Sequence, residues 1–121
     1  MNRILVVDDD YEIASAVKMI LELHDFKCQI ITNYKCFQNK IDEFSPDLII
    51  LDIFLNGADG RQVCKEFMQK NPQAKVKIIL FSANQDASRS YKNYHADAFI
   101  SKPFDTDNLI SIIRQLIEAA A

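Results

Sequence analysis

The chain has only two glycines, Gly57 and Gly60, and their scarcity excludes a whole class of sites. Loops that cradle nucleotide phosphates on backbone N–H groups carry glycine at fixed spacings such as GxGxxG, which this pair does not supply. Cysteine is sparse too, and Cys28, Cys36 and Cys64 form an odd set with no CxxC spacing. They read as small buried hydrophobes in a reducing compartment, not as a disulfide framework or a zinc site. No apolar run approaches the ~20 residues that span a bilayer. The N-terminus passes from a short apolar run straight into Asp8, Asp9 and Asp10, so the longer apolar core of a signal peptide is missing. A cytoplasmic location is expected. There is no basic excess either: 14 Lys and Arg stand against 17 Asp and Glu, a net charge of -3, with the cations scattered along the chain. No nucleic acid is therefore expected as a partner of this segment.

What is present is a rhythm. Short runs that are apolar at nearly every position, rich in Ile and Val, lie at 4–7, 28–31, 48–51, 76–81 and 98–100. Such runs predict strands covered on both faces, as in a parallel sheet. Between them apolar residues recur at helical spacing. Ile13, Val17, Ile20 and Leu21 share one face, Phe37, Ile41 and Phe44 a second, Val63 and Phe67 a third, and Leu109, Ile112, Ile113, Leu116 and Ile117 the clearest. The stretch 86–94 is polar, so a fourth helix there is expected to be weakly anchored. With 121 residues and no repeat or linker, the chain is expected to form one α/β domain over 1–121. Five parallel strands should alternate with five helices through right-handed crossovers.

Ligands of such sheets bind beyond the carboxyl ends of the strands, where the strand order reverses. Those ends carry Asp8, Asp9 and Asp10 after the first strand, Asp52 after the third, Ser82 after the fourth, and Lys102 followed by Pro103 after the fifth. If the first and third strands are neighbours, as in the order 2-1-3-4-5, Asp8, Asp9 and Asp52 converge. Like charges ~4 Å apart repel by a few kcal/mol, so the cluster should take up a proton or a cation. Hard oxygen ligands with room for water favour magnesium, Mg²⁺. A carboxylate such as Asp52 can act as a nucleophile toward phosphorus, forming an aspartyl phosphate. That transfer needs positioning and charge neutralisation more than acid–base chemistry, and Lys102 offers a point charge and Ser82 a hydroxyl. Asp10 reads as the cap of the first helix. His24 and His95 have no partner at ligand spacing and read as surface residues. Any one of these strand-end residues alone carries little weight; their conjunction, in order, carries the reading.

The segments ILVVDDD at 4–10, PDLIILDIFLNGADG at 46–60, IILFSA at 78–83 and ADAFISKPF at 96–104 resemble the receiver domain of two-component response regulators, and the resemblance covers the whole chain. It implies a doubly wound, flavodoxin-like (CheY-like) sheet of order 2-1-3-4-5. It implies Asp52 as phosphoacceptor, with Mg²⁺ bound by Asp9, Asp52 and the backbone carbonyl of Phe54, and Asp8 holding metal-bound water. Ser82 matches the hydroxyl switch residue, Phe99 its aromatic rotamer partner, and Lys102 the phosphate-binding lysine, whose bond to Pro103 is expected to be cis. The partners implied are a sensor histidine kinase or His-phosphotransfer protein, and an output domain or effector that reads the surface of the fourth helix, fifth strand and fifth helix. Such a domain catalyses only its own phosphorylation and dephosphorylation. A monomer or weak dimer is expected, because Ala98, Asn108 and Ile112 stand where the winged-helix subfamily has the charged residues of its dimer face. Asn56 and Ala58 depart from the usual Pro and apolar residue, which predicts a looser loop after Asp52, and His95 stands where glycine is common.

Two competing readings remain. An Asp-dependent phosphatase of the haloacid-dehalogenase kind also places a nucleophilic Asp after a parallel strand, but it needs a second Asp two residues on, and Phe54 is there. A degenerate receiver that only docks other proteins is the second, against which Asp8, Asp9, Asp52, Ser82 and Lys102 all weigh.

Overall fold

The computed structural model describes residues 2–83 and 91–120. Along the chain run β1 (Arg3–Val7), α1 (Tyr11–Leu23), β2 (Lys27–Ile31), α2 (Phe37–Phe44), β3 (Leu48–Asp52), the short β4 (Phe54–Leu55) and β5 (Ala58–Asp59), α3 (Gly60–Lys70), β6 (Lys77–Ser82), β7 (Ala98–Ser101) and α4 (Thr106–Ala120). Five strands pair in parallel in the order β2-β1-β3-β6-β7, which is the expected 2-1-3-4-5 once the short β4 and β5 are set aside.

The apolar runs become strands because both faces of the sheet are covered. Successive side chains along a strand point to opposite faces. Ile4, Val6, Leu48, Ile50, Ile79 and Phe81 pack under α1 and α4, against Val17, Leu21, Leu109 and Ile113. Leu5, Val7, Ile49, Leu51, Ile78 and Leu80 pack under α2 and α3, where Phe37 and Phe67 meet edge to face at 5.5 Å. Each such side chain taken from water stabilises the fold by about 1.5–3 kcal/mol. All five residues of β3 are buried. Asp47, just before that strand, accepts the N–H of Arg3 at 2.8 Å through Oδ2.

Asp10 caps α1 as expected, its Oδ1 accepting the N–H groups of Glu12 (3.0 Å) and Ile13 (3.3 Å). Other details differ from the sequence reading. Of the fourth helix expected over 86–94, residues 86–90 lie outside the described residues, and Tyr91–Tyr94 form a 3₁₀ turn. The expected fifth helix is therefore α4. Where a looser loop was expected after Asp52, β4 and β5 pair antiparallel about Asn56 and Gly57, and Gly57 takes a φ of 85°, which glycine adopts without steric cost. Cys28 and Cys64 are buried, but Cys36 is exposed because it sits at the junction of a short 3₁₀ turn and α2. His24 is half-buried and its Nδ1 hydrogen-bonds to the Ile20 carbonyl at 2.8 Å, closing the end of α1.

Candidate functional site

Val7 pairs with Leu51, so β1 and β3 leave the sheet side by side and deliver Asp8 and Asp52 to the same rim. Side-chain oxygens of Asp8, Asp9 and Asp52 all lie within 4.8 Å of one another. Asp8 and Asp52 are only 3% and 5% exposed, whereas Asp9 faces solvent. The two buried carboxylates are held alike. Oδ1 of Asp8 accepts the N–H of Asp10 at 2.9 Å, and Oδ1 of Asp52 accepts the N–H of Phe54 at 3.1 Å. Each keeps its Oδ2, and Lys102 Nζ donates to both, at 3.1 Å to Asp8 and 3.2 Å to Asp52. Lys102 follows the end of β7, its N–H donates to the Ser82 carbonyl at 2.9 Å, and its bond to Pro103 is cis, as the resemblance implies.

Burial and the surplus of negative charge, three carboxylates to one ammonium, both leave their mark on Asp52. Burial pushes its carboxyl up to about 6, the charge of Asp8 adds to this, and the Lys102 ammonium and the Phe54 N–H act against it. Burial works to lower the Lys102 ammonium, but the hydrogen bond to Asp8 and the charges of Asp52 and Asp8 outweigh it, and the net shift is upward. A site of this kind can exchange a proton for a hard cation.

Of the other residues singled out from sequence, Ser82 is fully buried at the end of β6, one residue beyond the partner of Asp52 in the neighbouring strand. Phe99 is half-buried, paired with Leu80 lower in the sheet and packed against the α2–α3 layer, outside the acidic cluster. Phe54 exposes its side chain (57%) while its N–H engages Asp52.

The family model for the response regulator receiver domain matches residues 4–114. The chain belongs to the response regulator receiver family. It is 29% identical, over 97% of its length, to the DNA-binding dual master transcriptional regulator RpaA of Synechocystis, of which it covers 49%. It is 29% identical, over 96% of its length, to the phosphate regulon transcriptional regulatory protein PhoB of Escherichia coli, of which it covers 52%. The chain thus spans about half the length of the curated relatives it matches. A receiver domain protein (CheY-like) of Methanospirillum hungatei superposes with a TM-score of 0.88 at 27% identity, covering 99% of this chain and 96% of that one. NtrX of Brucella abortus, crystallised with ATP, gives 0.87 at 28% identity, covering 98% of this chain and 27% of its own.

Three features of this receiver escaped the sequence reading. The Lys102 ammonium stands 4.9 Å from the ring centroid of Phe81, which sequence marked only as a strand residue. Asp59 caps α3 and is clasped by Arg61, whose Nε and Nη2 reach it at 3.1 and 2.8 Å, and that hydrogen bonding holds the Asp59 carboxyl below the usual range. The Arg61 guanidinium also lies over the Tyr94 ring at 5.4 Å, tying the start of α3 to the turn before β7. The Asn56–Gly57 pair was the available signal for the small hairpin. Among the described residues no helix is long and apolar enough to cross a membrane.

Proposed function

We propose that this receiver is a phosphoacceptor in a two-component relay, taking a phosphoryl group onto Asp52 from the phosphohistidine of a sensor kinase or His-phosphotransfer protein. The observation that carries this reading is the Lys102 ammonium shared by two buried carboxylates, Asp8 and Asp52, inside a cluster that also holds Asp9. A side-chain oxygen of Asp52 attacks phosphorus, the P–N bond breaks, and the electron pair returns to the imidazole, which takes up a proton from solvent. With its carboxyl near 6, Asp52 is mostly ionised at neutral pH and able to attack. The Phe54 N–H fixes one oxygen and so orients the other, while Lys102 offers its charge to the incoming phosphoryl oxygens.

The donor set fits Mg²⁺: hard oxygens close together, with Asp9 open to water. Asp9, Asp52 and the Phe54 carbonyl would hold it directly and Asp8 through water. Bound there, the ion neutralises charge between the acceptor and the phosphoryl group. In the phosphorylated state the Ser82 hydroxyl moves toward the new oxygens. Phe99 turns into the space this frees beside β6, and the surface of β7 and α4 changes for an output domain or effector. The difference such a partner senses is typically a few kcal/mol. On this reading residues 1–121 are one cytoplasmic receiver that catalyses only its own phosphorylation and dephosphorylation and binds no nucleic acid itself.

The test is incubation with acetyl phosphate and Mg²⁺ followed by intact-mass analysis. One phosphoryl group is expected on the wild type, and none on Asp52→Asn or after chelation. A wild type that stays unlabelled overturns the reading and leaves a receiver used for docking alone.

A further inference from the structure

Phe81 is 1% exposed, yet it does more than fill the core. The face of an aromatic ring attracts a cation within about 6 Å of its centroid, and the attraction grows when water is excluded. The Lys102 ammonium meets both conditions, at 4.9 Å from the Phe81 ring, with its own side chain 17% exposed and those of Asp8 and Asp52 at 4% and 7%. Phe81 is itself rigidly placed relative to Asp52. It pairs with Asp52 across the β3–β6 ladder, its carbonyl accepts the Ile53 N–H at 3.1 Å, and its ring rests on that of Phe104 at 5.5 Å. An aliphatic side chain would satisfy the same layer, as Ile79 and Ile100 do.

On the reading that Asp52 is the acceptor, the two oxygens that hold the ammonium at rest are the ones that must change partners. Once Oδ2 of Asp52 bonds phosphorus it loses its carboxylate charge and with it its ionic hold on Lys102, and Oδ2 of Asp8 must then share the ammonium with a metal-bound water. A ring face has no lone pair to surrender and no proton to give, so its hold survives that exchange. We infer that Phe81 is a positioning residue for phosphoryl transfer, its ring face keeping the Lys102 ammonium over Asp52 while the carboxylates take up new partners.

Fluorinated phenylalanines at position 81 test this, because fluorine drains charge from the ring face with little change in shape. The initial rate of phosphorylation by acetyl phosphate with Mg²⁺ is expected to fall stepwise through the mono-, di- and trifluoro rings, by about fivefold in all. Thermal midpoints should stay together. Phe81→Leu should lose as much as the trifluoro ring. As a readout independent of activity, the ε-methylene protons of Lys102 should show an upfield ring-current shift, with and without Mg²⁺, that disappears in Phe81→Leu. A flat rate series in a protein that does phosphorylate Asp52, or Lys102 ε-protons at random-coil positions in the wild type, overturns the inference alone. Absence of phosphorylation on Asp52 in the unsubstituted protein overturns the acceptor reading and takes this inference with it.

Discussion

Gly60 lies bare against the turn that follows Asp52: a Cβ on it would overlap the Asp52 carbonyl oxygen and meet its carbonyl carbon at 2.8 Å and the Ile53 Cα at 2.9 Å. Its N–H donates to the Ile53 carbonyl at 2.7 Å, so the start of α3 is clamped to the residue after the proposed acceptor. Backbone atoms cannot swing aside as a flexible side chain would. Gly60→Ala is expected to cost about 3 kcal/mol or more, the upper end of overpacking, and to slow phosphorylation by displacing Asp52. Urea denaturation reports the first effect and acetyl phosphate labelling the second. An unchanged midpoint would show that α3 has slack.

The raised carboxyl of Asp52 makes a pH prediction whose sign is fixed. Folded, the group titrates at about 6, against an ordinary value of 3.8 in the unfolded chain. Between those values the folded state holds more protons than the unfolded state, so this group's contribution to stability falls as pH rises through the window. In the protein without metal, lowering the pH through 6 should therefore stabilise the fold relative to Asp52→Asn, which lacks the group. On the proposed function, Mg²⁺ is expected to compete with that proton. Its affinity, followed by NMR titration, should weaken on the acid side of 6, and an affinity that does not change there would contradict the assignment.

His95 sits at φ 65° between the 3₁₀ turn and β7, in the left-handed region where a Cβ crowds the following carbonyl. Glycine, common at this position in receivers, is free of that crowding. After the entropy that glycine loses on folding, His95→Gly should raise stability by about 0.5–1 kcal/mol. Paired thermal melts decide it. A lowered midpoint would mean that the imidazole contributes contacts worth more than the strain.

The three cysteines should separate cleanly in a thiol titration. Burial pushes the Cys28 and Cys64 thiols up to about 12, which removes their thiolate at neutral pH, whereas Cys36 is exposed. One equivalent of a disulfide reagent should react quickly in the native protein and the remainder only after denaturation. Cys36→Ser should abolish the fast phase. Fast reaction of more than one thiol would show that a helical layer opens.

The strands were legible because burial on both faces leaves little room for polar residues, so each appears as a run broken at most once, by Gln29 in β2 and by Lys77 at the start of β6. The rim was legible because parallel strands must all end there, which brings residues as distant as Asp8, Asp52 and Lys102 to one edge. Other details depend on neighbours that spacing does not reveal. Every residue of IILF looks alike in a doubly buried strand, and Phe81 is singled out only by where Lys102 arrives from β7. Ala14 and Ile110 are buried although the helical faces read from sequence omitted them, since Ala is small enough to pass as neutral and Ile110 widens the apolar stripe of α4. The hairpin strands of two residues each are too short for any period to register.

The wholly apolar interior of β3 has a consequence for how the sheet keeps its alignment. In a strand with one wet face, sliding by a single residue would expose the oily set to water, and that alone locks the pairing. Leu48, Ile49, Ile50 and Leu51 offer no such lock, because either set suits either layer. The stops are the carboxylates at the two ends: Asp47, bonded to the Arg3 N–H, and Asp52, bonded to Lys102. A slip in either direction would drag one of them into hydrocarbon, at a cost of several kcal/mol. The proposed acceptor is thus also a bookend, and an insertion or deletion inside β3 would misplace the chemistry and the sheet together.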